Sequence, residues 1–164
     1  MDGHDELLTI AEIAVGLAGF SGVVAGFIQR GGLSAADRLR FIALFITAFA
    51  ALVLAFIPIA LAYAGFQDEN LWRLSSVIMM LTGIAGIVSI PFGTHRIRKE
   101  IATTSLLPTI LLLVPALINV VVQLMNAGAW IWQPNFVPYL IGMLLCLFET
   151  GLIFVFIVLF RPPT

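Results

Sequence analysis

The stretch Val137–Phe160, VPYLIGMLLCLFETGLIFVFIVLF, holds a single acid, Glu149, in an otherwise apolar run long enough to cross a bilayer as a helix. A hydrocarbon core of about 30 Å needs roughly 20 such residues. Four stretches upstream meet the same requirement: Leu7–Ile28, Phe41–Ala64, Leu71–Phe92 and Ser105–Met125. Across all five, acids occur only at Glu12 and Glu149. The chain is 61% hydrophobic and 10% charged, whereas soluble domains average about 45–50% and about 25%. The expected fold is all-α: one integral membrane domain over residues 1–164, built from five transmembrane helices and solvated by the lipid bilayer. The acidic opening MDGHDE lacks the basic region of a signal peptide, so the first helix is expected to be retained.

Charge sets the orientation. With five spans, seven of the eight Lys and Arg fall on one side, in GLSAADRLR and its flanks, in THRIRKE and at Arg161, leaving only Arg73 on the other. Short basic loops stay cytoplasmic. The N-terminus is therefore expected outside and the C-terminus inside, in a multi-pass protein of the cell (inner) membrane. Trp72, Trp130, Trp132 and Tyr139 all fall near the outer boundary, as an aromatic belt would. Arg96, Arg98 and Lys99 are placed to attract anionic lipid headgroups. No basic domain for nucleic acid is present.

Local signals mark the ends. Gly31 and Gly32 suit the left-handed conformations that close a helix. Ser34, with Asp37 three residues on, has capping-box spacing. IPFGTH, with Pro91 and Gly93, is expected to end the third span, and Thr94 to cap a helix leading to the fourth. Prolines within spans free carbonyls four residues earlier: Pro58 frees that of Leu54, Pro115 that of Leu111 and Pro108 that of Thr104. In lipid those carbonyls need donors from neighbouring helices or water.

Two spans are patterned. In the first, Ile10, Ile13, Leu17, Phe20, Val24 and Phe27 form a bulky stripe, expected to face lipid. Ala11, Ala14, Ala18, Gly22, Ala25 and Gly26 form a small-residue stripe. Small residues let helix backbones approach closely, so Ala14, Ala18, Gly22 and Gly26 are read as a helix-packing face, inside the bundle or between chains. In the fourth, Thr104, Pro108, Pro115, Asn119 and Asn126 recur on one face with Gln123 at its edge.

Glu12, Glu149, Asn119 and Gln123 are the candidate proton- or ion-binding residues. Intramembrane acids are costly and mark function by default. Hydrocarbon disfavours a charged carboxylate, and no Lys, Arg or His lies deep in a span to pair with one. A neutral Glu can donate a hydrogen bond and still release its proton when water or a cation arrives. Counted by the helical rise, Glu12 shares a depth with Asn119, Gln123, Ser76 and Pro58, which are expected to supply its polar surroundings. Glu149 falls near the middle of the bilayer, with Gly142, Leu145, Cys146, Ile153 and Phe156 on its face.

No metalloprotease, thiol-redox, phosphate-loop or nucleophile-elbow motif occurs, so no catalytic residues, metal centre or cofactor are expected and the chain is not read as an enzyme. The favoured expectation is an oligomeric proton- or cation-linked channel or transporter. The alternative is an accessory or assembly subunit of a larger membrane complex, docking through the small-residue face of the first helix.

Overall fold

The computed structural model describes residues 3–29, 35–96 and 107–159. Among the described residues there are five helices and no strand: α1 His4–Gln29, α2 Ala35–Tyr63, α3 Asp68–Arg96, α4 Leu107–Gly128 and α5 Phe136–Leu159. Each contains a segment long and apolar enough to span a membrane, namely His4–Val24, Arg38–Tyr63, Asp68–Ser89, Ile110–Gly128 and Phe136–Val158. The protein is a five-helix bundle of multi-pass membrane type.

Many large apolar side chains face outward. Phe20, Ile46, Phe49, Leu81 and Val137 are exposed, while Ser75, Ser76, Asn119, Gln123, Asn126 and Thr150 are buried. In water so much exposed apolar surface would drive association. In lipid it matches its solvent, and the helices satisfy nearly all of their own backbone groups.

α5 touches all four other helices; α1 packs mainly on α2, α3 on α4, and α2 reaches across to α5. α1, α3 and α5 begin at the same end, where the Trp72 ring of α3 lies 5.3 Å from Phe136 and 5.8 Å from Tyr139 of α5. Gly3, with φ +84, brings the chain over this end so closely that a Cβ there would collide with the Phe136 ring. Trp72 and Tyr139 thus corrects one expectation: both lie at the belt end, but they are buried in the core rather than facing lipid. Trp130 does project outward.

The α2–α3 turn follows from Gly65. At φ +94 it donates to Ala62 O while Phe66 N donates to Leu61 O, the paired closure of a helix by a left-handed glycine. The end of α3 differs from expectation. Its apolar window stops at Ser89, yet the helix continues through Pro91 and Gly93 to Arg96. Gly31, Gly32, Ser34, Arg98, Lys99 and Thr104 lie outside the described residues.

α1 divides its two stripes differently from the sequence expectation. Leu7, Ile10, Ala11, Ala14 and Ser21 are buried, so the bulky Ile10 faces the core, while Ile13 and Phe20 do face out. Ala14 packs inside and Ala18 is half-buried, but Gly22 and Gly26 are exposed. A Cβ at Gly26 would meet nothing within 4 Å, and one at Gly22 only the Phe45 ring at 3.7 Å. Among the described residues, Gly22 meets another helix only through the Phe45 ring and Gly26 meets none. Ala14, Ala18 and Gly22 line an open apolar groove of about 850 Å³ with Phe45 and Phe49 of α2.

Candidate functional site

The polar face of α4 turns inward, between α3 and α5. Asn126, in the last turn of the helix, uses its whole hydrogen-bonding capacity. Its Nδ2 donates to Ser76 Oγ at 2.8 Å and to Asn135 O at 3.1 Å, and its Oδ1 accepts from Trp132 Nε1 at 3.2 Å and Asn135 N at 3.1 Å. One amide thereby fixes the α4–α5 turn and ties it to α3. That turn passes through Ala129 at φ +53, a conformation a β-carbon disfavours, and the Asn126 bonds hold it.

One turn deeper, Gln123 Nε2 donates to Pro138 O at 2.9 Å and to Asn119 Oδ1 at 3.3 Å. Asn119 Nδ2 in turn donates to Cys146 Sγ at 3.3 Å. Gly142 makes this approach of α4 to α5 feasible. A Cβ there would collide with the Gln123 amide and come within 2.5 Å of Asn119 Oδ1 and 2.6 Å of Met79 Sδ. Glu149 lies seven residues beyond Gly142 and three beyond Cys146, hence on the same face of α5. The order from the bundle end inward is Asn126, Gln123, Asn119, Cys146, Glu149.

Two acceptors on this line are unmatched. Among the described residues, Gln123 Oε1 and Glu149 Oε1 are buried and have no hydrogen-bond partner. Buried polar atoms are nearly always paired, which sets these two apart. Thr150, beside Glu149, turns the other way and donates to Thr47 Oγ1 of α2 at 3.2 Å.

Of the four candidate binding residues, the fold brings together Asn119 and Gln123 directly and Glu149 through Cys146. Glu12 is elsewhere. It is exposed on the outer face of α1, a helix that packs on α2 and α5, while the amides it was expected to meet are engaged with α3 and α5. Equal depth does not determine rotation about the helix axis, and rotation sets Glu12 apart. Tyr139 enters a role that its belt position conceals: its hydroxyl donates to Leu54 O at 2.6 Å, the carbonyl that Pro58 frees. The signal for it was Pro58 itself, which requires a donor from another helix. Nothing in the spacing marked Gly142.

The chain matches no family model, no curated protein and no solved structure.

Proposed function

We infer that this protein is a small proton- or cation-linked channel or transporter, with Glu149 as the carboxyl group that takes up and releases the proton or holds the cation. The observation that supports this reading is the buried, partnerless Glu149 Oε1 at the inner end of a line of polar side chains. A neutral carboxyl group serving as glue would donate to a neighbouring acceptor, and among the described residues Glu149 makes no side-chain hydrogen bond. Asn119 and Gln123 supply dipoles along the route; Glu12 has no place in it. The route runs inward from the end holding the N-terminus, proposed to face outside on the distribution of basic residues. Basic residues from Arg96 onward are proposed to meet anionic lipid on the other side.

The experiment is flux in proteoliposomes under a pH gradient. Glu149→Gln keeps volume and most hydrogen-bonding capacity, so the variant should retain its melting temperature in detergent while flux is lost. Undiminished flux removes the carboxylate from transport. It would leave the second reading, an accessory subunit docking through α1, which the outward placement of Gly22 and Gly26 favours.

A further inference from the structure

Among the described residues, Glu12 and Arg73 are charged side chains on the outside of the bundle, beyond the first turn of their helices, with no partner. Glu12 of α1 and Arg73 of α3 are exposed and lie inside the apolar windows His4–Val24 and Asp68–Ser89. Neither makes a hydrogen bond or ion pair among the described residues. Both sit toward the same end of the bundle, about 12 Å and about 7.5 Å from the first residues of their helices at the helical rise. A carboxylate or guanidinium turned toward lipid at such depths is unfavourable unless it is paired or reaches the interface.

Their surroundings are complementary. On α1, Glu12 is followed on its own face by Gly16 and Gly19, and a Cβ at either would meet nothing within 4 Å. On α3, Arg73 is followed by Val77 and Met80, which are half-buried. The spacings are the same, four residues and then three, and the two helices run in the same direction from the same end. When two copies are inserted alike, α1 of one and α3 of the next are parallel. A single register then sets acid against base and both glycines against large side chains, the small-against-large fit that brings membrane helices close.

We propose that copies of this chain assemble side by side in the membrane, the Glu12–Gly16–Gly19 face of one seated on the Arg73–Val77–Met80 face of the next. The two faces differ, so the contact is heterologous and repeats head to tail until a ring closes. The assembly neutralises Glu12 and Arg73 together, and it stands whether or not the protein transports an ion.

Disulfide cross-linking in native membranes tests it. Gly16→Cys and Val77→Cys, carried on separate co-expressed chains, should give a cross-linked dimer on mild oxidation, and the double variant on one chain should give a ladder of multimers. Wild type, whose Cys146 lies within the bundle, is the control and should stay uncross-linked. Glu12→Arg and Arg73→Glu should each abolish assembly judged by native mass spectrometry, and combining them should restore it. Cross-linking of Gly16→Cys chains to one another without the Val77→Cys chain would overturn the proposal in favour of a two-fold contact through α1. Absence of any cross-link, or failure of the double swap in a folded, inserted protein, would also overturn it.

Discussion

The Tyr139 hydroxyl donates a 2.6 Å hydrogen bond to the Leu54 carbonyl, the group that Pro58 deprives of its helical donor. α5 thus completes the backbone of α2. Tyr139→Phe should cost about 1 kcal/mol in a mixed-micelle unfolding assay. In a Pro58→Ala background the same change should cost less, because the restored N–H of residue 58 can serve Leu54 instead. Equal costs in both backgrounds would show that the two residues are uncoupled.

Gly142 is expected to be the most size-sensitive position in α5. Gly142→Ala drives a methyl group into the Gln123 and Asn119 amides, and overpacking of this kind costs about 1–3 kcal/mol. Gly151→Ala, where a Cβ meets nothing within 4 Å, should shift stability by no more than about 0.5 kcal/mol. The two melting curves, recorded in the same detergent, decide the matter.

Asn126→Leu removes four hydrogen bonds and strands the Trp132 indole and the Asn135 amide. A loss of at least about 2 kcal/mol is expected, together with a change in the near-ultraviolet dichroism of the tryptophans. An unchanged spectrum would mean that the turn is held by other contacts.

Orientation is open to labelling with an impermeant thiol reagent on intact cells. Thr94→Cys and Ser34→Cys should be protected and Gln133→Cys, in the α4–α5 turn, should react. The reverse pattern would invert the proposed topology.

Five spans were legible because helix length and apolarity follow directly from bilayer thickness. The inward face of α4 was legible because Asn119 and Asn126 repeat at helical spacing. Glu12 was misplaced because depth along a helix says nothing of its rotation against neighbours. Trp72 and Tyr139 were misread for a related reason: an aromatic near a boundary suits both a lipid belt and a buried hydrogen bond, and only the packing of α3 on α5 distinguishes them. Gly22 and Gly26 have the composition of an internal contact, yet α1 turns them outward.

The open carbonyl at Leu54 also fixes an order in time. Its donor stands 85 residues later in the chain, so α2 enters the membrane with an unmet demand that no segment made before α5 fulfils in the finished bundle. α1, which forms no side-chain hydrogen bond to another helix among the described residues, places no such demand. Insertion of α5, rather than of the first hairpin, is therefore the step that closes the structure, and a chain stopped before Tyr139 should leave quality-control proteases a bundle that has crossed the membrane but never locked.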